Sequence, residues 1–101
     1  MAKLRRNRRP SAPGEILKML FLEQRKISVS SLAEAIGVSR KHMSRIVNGK
    51  ARLEPAIAAR LGKALGTSAQ IWVDLQAELD AWDAELEMRY WKPARIFPAA
   101  A

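Results

Sequence analysis

Apolar residues recur at helical spacing along most of this chain, and caps, prolines and glycines divide the pattern into five stretches. The sharpest division lies between residues 28 and 50, SVSSLAEAIGVSRKHMSRIVNGK. Ser28 is a good N-cap, and Leu32, Ala33 and Ile36 follow on one face. Gly37 stands where a helix commonly ends in a left-handed residue. Ser39 is the next cap, and Met43, Ile46 and Val47 then repeat at i, i+3 and i+4. Two short helices joined by Gly37-Val38-Ser39-Arg40 predict a helix-turn-helix.

The flanking stretches predict three more helices. Ser11-Ala12-Pro13 opens the first, with Glu15 suited to the positive end of the helix dipole. Ile16, Leu17, Leu20 and Phe21 form its expected apolar face. Pro55 starts the fourth helix, with Ile57, Ala58, Leu61, Ala64 and Leu65 inward and Gly66 as the stop. Thr67-Ser68 caps a fifth, from about Ala69 to Met88, which at 1.5 Å per residue would run roughly 30 Å. Its stripe is Ile71, Leu75, Leu79, Trp82 and Leu86. Ile71, Trp72 and Leu75 are expected to cover the four-helix core, while Leu79, Trp82 and Leu86 extend beyond it. A second copy is the economical partner for such a stripe, so Leu75, Leu79, Trp82 and Leu86 are the expected dimer interface. Past Lys92, Pro93 disfavours a helix. Tyr90, Trp91, Ile96 and Phe97 are too apolar for an inert tail and suit packing on the domain or on another protein. The expected organisation is an arm over 1–10, one domain over 11–88 and a tail over 89–101.

The polar face of the second motif helix changes the picture from fold to chemistry. At about 100° per residue, Arg40, Lys41, Ser44, Arg45 and Asn48 share one arc opposite the apolar stripe. Arg reads guanine edges and Asn reads adenine, while Lys and Ser serve phosphates or bases. A capped helix anchored by its back can present that arc to a major groove. Ser28, Ser30, Ser39 and Lys50 complete the expected DNA surface. The arm MAKLRRNRRP adds Arg5, Arg6, Arg8 and Arg9; it is expected to be unstructured when free and to track phosphates or a minor groove.

Charge supports two surfaces. The net charge is +8, but residues 1–66 carry 15 Lys and Arg against 4 Asp and Glu. Residues 67–88 carry no cation and 6 acids, namely Asp74, Glu78, Asp80, Asp83, Glu85 and Glu87. Arg89, Lys92 and Arg95 follow. The basic front suits a polyanion, and the acidic back suits a different partner.

Other classes of function find no support in the chain. It has no cysteine, hence no disulfide framework and no thiolate site, and the lone His42 forms no metal site by itself. No apolar run approaches the roughly 20 residues that span a bilayer, and the N-terminal cations are not followed by an apolar signal core. No nucleophile–base set and no glycine-rich phosphate loop is present. A cytoplasmic, nucleoid-associated, non-enzymatic protein without metal or cofactor is expected.

The segment LAEAIGVSRKHMSRIVNGK resembles the helix-turn-helix of the lambda-repressor-like (XRE) superfamily. PGEIL near the start, together with LG-TS-x-x-x-W-x-x-LQ over residues 65–76, is similar to the HigA-type antitoxins, and the resemblance spans Pro13 to about Trp82. Two departures stand out. Val29 replaces the usual Gln just after the cap, and Gln24-Arg25-Lys26 replaces a Pro-Leu-Gly-like turn after helix 1. The resemblance implies an all-α, five-helix lambda-repressor-like DNA-binding domain with a helix-turn-helix and a longer C-terminal helix. It implies a homodimer on an inverted-repeat operator, autorepression, and neutralisation of a basic RelE/HigB-like mRNA endonuclease toxin. The acids of the fifth helix would suit that toxin, with Tyr90, Trp91, Ile96 and Phe97 as candidate anchors; helix 1 and the N-terminal segment are a competing placement. The alternatives are a stand-alone XRE-family repressor without a toxin and a pure protein-interaction module. The neighbouring reading frame discriminates the antitoxin from the stand-alone repressor.

Overall fold

Pro13 begins the first helix of the computed structural model, which describes residues 8–99. Its missing N–H is one that a helix start leaves unpaired anyway. The Glu15 carboxylate turns back to accept from the Ala12 backbone N–H at 3.0 Å. Helix α1 (residues 13–25) is α-helical over Pro13–Leu17, makes a π turn over Lys18–Leu22 and returns to α over Glu23–Arg25. Four helices follow: α2 (Val29–Ile36), α3 (Arg40–Val47), α4 (Pro55–Leu65) and α5 (Ala69–Glu87). The described residues contain no strand.

The local signals behave as their chemistry requires. Ser28, Ser39 and Ser68 each sit in extended conformation and accept the backbone N–H of the third residue of the helix they open. Gly37 and Gly66 end α2 and α4 with φ near +75°, a region that costs other residues. Two arginines of the basic front close helix ends from a distance. Arg60 donates to the Ile36 carbonyl at 3.0 Å, and Arg25 donates to the Leu65 carbonyl at 2.9 Å.

Leu17, Leu32, Ile36, Met43, Ile46, Leu53, Leu61 and Trp72 are among the residues of one buried core drawn from all five helices and the 48–54 loop. The Trp72 ring meets Phe21 at 5.4 Å between centroids and a 58° tilt, and its indole N–H donates to the Thr67 hydroxyl at 2.8 Å. Arg25 lies over the other ring partner, 4.9 Å from the Phe21 centroid.

Three packing expectations need correction. In α1, Leu20 is 57% exposed, while Leu17 and Leu22 are buried. The π turn is the reason: its bonds join residues five apart, so the position returning to the core is i+5 and not i+3 or i+4. In α4, Ala64 is exposed. In α5, the buried positions are Trp72, Gln76 and Leu79, so Ile71 faces solvent and Leu79 is enclosed by its own chain. Of the stripe expected to reach past the core, Leu75 and Trp82 are half-buried and Leu86 is exposed.

The α1–α2 turn shows the consequence of a sequence departure. Lys26, where the resemblance implies a Gly-like turn, has φ 55 and ψ 46. A side chain in that region crowds the backbone at a cost of about 1–2 kcal/mol.

Candidate nucleic-acid interface

Helix α3 presents its polar arc because its other side is locked. Met43, Ile46 and Val47 are buried, and the Ser39 hydroxyl accepts the His42 backbone N–H at 3.0 Å. Helix α1 crosses the C-terminal end of α3 so closely that a Cβ at Gly14 would overlap the Ile46 carbonyl. Only glycine allows that approach. Gly14 was legible in the sequence merely as part of a helix start; its small size is the one signal of a close contact.

On the open side, Arg40, Lys41, His42, Arg45, Asn48 and Lys50 are exposed and Ser44 is half-exposed. Arg40 Nε donates to Ser30 Oγ at 2.8 Å, which joins α3 to α2 across the turn. Asn48 Nδ2 donates to the Ser44 carbonyl at 2.9 Å and to its hydroxyl at 3.3 Å. That fixes the amide and leaves its carbonyl oxygen to accept. Arg45 donates one N–H to the Lys50 carbonyl at 3.1 Å, which leaves four of its five donors for other partners. Ser28 binds the Ser31 backbone N–H at 3.0 Å and donates to the Ser31 hydroxyl at 2.9 Å. Ser28, Ser30, Ser39, Arg40, Lys41, Ser44, Arg45, Asn48 and Lys50 thus all belong to the two motif helices, their N-caps and the loop after them.

The loop after α3 is held by α5. The Leu53 backbone N–H donates to Gln76 Oε1 at 2.9 Å, and Leu53 is itself buried. Gln76 Nε2 donates to Asp80 Oδ1 at 2.9 Å. Asp80 also receives a bidentate pair from Arg52, at 3.0 and 2.7 Å, while Arg52 pairs with Glu54 at 3.0 Å. Hydrogen bonds from Arg52 hold the Asp80 carboxyl below the usual range, against the opposing effect of burial. This chain of contacts escaped sequence reasoning. A Gln on the inward side of α5 was its only mark.

The arm differs from expectation at its root. Arg9 forms a bidentate pair with Asp83, at 2.9 and 3.0 Å, and Pro10 is buried. Arg9 is therefore tied to α5, and with Pro10 buried the root of the arm is not free. Hydrogen bonding from Arg9 lowers the Asp83 pKa. Arg8 is exposed. Arg5 and Arg6 lie outside the described residues. Among the described residues no group of three or more His, Asp or Glu could hold a metal ion, and no helix is long and apolar enough to cross a membrane.

The helix-turn-helix family matches residues 17–72. Antitoxin HigA-1 of Vibrio cholerae is 39% identical over 89 residues, which cover 88% of this chain and 82% of that protein. The chain belongs to the XRE-type helix-turn-helix family, in the branch of the HigA antitoxins. Among solved structures, Pseudomonas aeruginosa antitoxin HigA with the higBA promoter is similar at a TM-score of 0.78 and 35% identity, over 86% of this chain and 100% of that one. PA4674 from Pseudomonas aeruginosa, in complex with its 28-bp operator DNA, reaches a TM-score of 0.81 at 36% identity over 90% of this chain and 100% of that one. The all-α, five-helix lambda-repressor-like fold expected from the resemblance is the fold of this chain, and its family is one of DNA-binding antitoxins and regulators, not of enzymes.

Proposed function

We propose that this protein is an autorepressing antitoxin. As a homodimer it binds an inverted-repeat operator through α3, and it neutralises a RelE/HigB-like mRNA endonuclease toxin. The observation that carries the DNA half is the arc of Arg40, Lys41, Ser44, Arg45 and Asn48 on a helix whose cap and buried face are both occupied. Its fit to a promoter is supported by the similar HigA structure that holds one. Arg40 and Arg45 read base edges, Asn48 offers its free carbonyl oxygen, and Lys41, Ser44 and Lys50 hold phosphates or bases. The serines Ser28, Ser30 and Ser39 place backbone and hydroxyl donors at the starts of α2 and α3, where anions bind well. Arg5, Arg6, Arg8 and Arg9 add affinity along the backbone; Arg9 does so only after leaving Asp83, which moderates its share.

The dimer forms through Leu75, Trp82 and Leu86 of α5. A two-fold pair would set its recognition helices about 34 Å apart, one turn of duplex. The toxin half rests on the 39% identity to antitoxin HigA-1, and the acids of α5 give a basic enzyme an oppositely charged surface that speeds association. The site of action is the cytoplasm, at the nucleoid. The residues divide functionally into an arm over 1–10, the domain over 11–88 and a tail over 89–101.

Two measurements test this reading. The quadruple alanine variant of Arg40, Lys41, Ser44 and Arg45 is expected to lose operator binding while keeping its circular dichroism, each base-reading arginine contributing about 1–3 kcal/mol. Wild-type affinity in that variant would discard the DNA assignment. Co-expression with the product of the adjacent small gene is expected to rescue growth and to co-purify the two proteins. A harmless neighbour, or a toxic one left unaffected, would replace the antitoxin with a stand-alone repressor.

A further inference from the structure

The tail beyond α5 is apolar, basic and uncovered. Tyr90 is 83% exposed and Phe97 73%, with Trp91 and Ile96 also open to solvent. A turn follows the end of α5, where the Trp91 N–H donates to the Met88 carbonyl at 3.0 Å. Two guanidiniums lie on the tail's own rings: Arg89 is 4.8 Å from the Tyr90 centroid and Arg95 is 4.5 Å from that of Phe97. Residues 89–101 hold three cations and no acid, whereas residues 67–88 hold six acids and no cation.

The distal half of α5 has the complementary character. Arg52 and Arg9 already occupy Asp80 and Asp83. Glu85 and Glu87 form no ion pair among the described residues, and Leu86 between them is half exposed, one turn beyond the half-buried Trp82. We infer that residues 89–99 of one copy lie along the distal half of α5 of a second copy, so that each chain lends its basic, aromatic tail to the acidic helix of the other. This rests on the homodimer of the proposed function and assigns the tail to it.

Three physical points favour a second copy as the occupant. Both complementary surfaces are carried by the same chain, so a two-fold pair makes the contact twice. The reach is sufficient: the eleven residues 89–99 can extend up to about 36 Å, against about 14 Å for the distal half of the 19-residue helix. A basic toxin would repel the tail's cations, whereas Glu85 and Glu87 attract them. In the pair, Tyr90, Trp91 and Phe97 would cover the apolar surface around Trp82 and Leu86, and aromatic residues buried in this way commonly dominate an interface.

The test is sedimentation equilibrium on the full chain. W91A combined with F97A is expected to raise the dimer dissociation constant at least about tenfold, with unchanged far-ultraviolet circular dichroism. E85K with E87K in one chain, and K92E with R95E in another, are each expected to weaken self-association. Mixed one to one, the two charge-reversed chains are expected to form a heterodimer tighter than either homodimer, because both tail–helix contacts then pair opposite charges. Tail docking on its own helix predicts no gain on mixing and would overturn the inference. So would an unchanged constant in W91A/F97A, including the case where toxin co-purification is lost instead, which would move the tail to that partner. If W82S still dissociates the dimer while W91A/F97A does not, only the tail assignment fails. A wild-type chain that stays monomeric at tens of micromolar, an order-of-magnitude choice for such interfaces, removes the dimer and the tail exchange together.

Discussion

The two ends of α5 treat tryptophan in opposite ways. Trp72, in the first turn, is 0% exposed, touches Phe21 and donates its indole N–H to Thr67. Trp91, just past the last turn, is 64% exposed. Between them the helix passes from structural prop to open surface, with Gln76 and Leu79 still buried and Leu86 exposed. Apolar content alone therefore does not distinguish the two roles in this chain. What distinguishes them is the surroundings of the side chain: the Trp72 ring meets Phe21 and its indole N–H the Thr67 hydroxyl, whereas the Trp91 ring is open to solvent. Near the core, each polar atom is answered: Trp72 by Thr67, the Leu53 amide by Gln76, and Gln76 by Asp80. No buried side-chain nitrogen or oxygen among the described residues lacks a partner.

The contrast is sharpest in a pair of truncations. Trp72→Ala is expected to cost about 3–5 kcal/mol in urea unfolding, as an aromatic removed from a packed core does. Trp91→Ala, measured at a dilution where chains are separate, should stay within about 0.5 kcal/mol of wild type. Equal losses at the two positions would erase the distinction.

Next in size is Gln76→Leu, which keeps the volume and strips the amide. The buried Leu53 N–H then has no acceptor, and the expected loss is about 1–3 kcal/mol. Operator affinity should fall with it, since the 48–54 loop follows α3 directly. A neutral outcome in both assays would show that this loop does not need α5.

A smaller effect of opposite sign is expected in the α1–α2 turn. Lys26→Gly relieves the left-handed strain and should stabilise the protein by about 1 kcal/mol, less the extra chain entropy of glycine. A raised melting temperature would confirm that the departure from a glycine turn costs stability.

The smallest concerns pH. The Asp80 pKa is lowered in the folded chain, first by its hydrogen bonds from Arg52. A depressed carboxyl contributes stability that is complete above its ordinary value near 4 and lost as pH falls below that value. At a partly exposed pair the contribution is roughly 0.2–1 kcal/mol. Asp80→Asn should therefore flatten the stability curve below about pH 4 and change little at pH 7 beyond that amount. A wild-type acid slope in the variant would assign the slope to other carboxylates.

Much of the helix-turn-helix half was legible because its signals are local. A serine cap, an i, i+3, i+4 stripe and a terminal glycine each act within one or two turns, so Ser39, Met43 and Gly37 announce α3 and the turn before it from sequence alone. The basic arc of Arg40, Lys41, Ser44, Arg45 and Asn48 follows from helical geometry once the apolar face is set. The far half was less legible. On α5, Ile71 and Leu79 lie on one stripe by spacing, yet one faces solvent and the other is enclosed.

By itself, then, the sequence determined the five helices, their caps, the helix-turn-helix and the side of α3 turned outward, because backbone preferences and helical periodicity need no distant partner. The structure decided the rest: the local π turn that buries Leu22 in place of Leu20 and, between residues far apart in the chain, the approach of Gly14 to Ile46, the commitment of Arg9 to Asp83, and the Leu53–Gln76–Asp80–Arg52 chain. Arg9 and Asp83 are separated by 74 residues, Leu53 and Gln76 by 23, and Arg52 and Asp80 by 28. Such contacts form only after the helices have packed, since hydrogen-bond distance is set by the placement of whole elements and not by the pattern within any one of them.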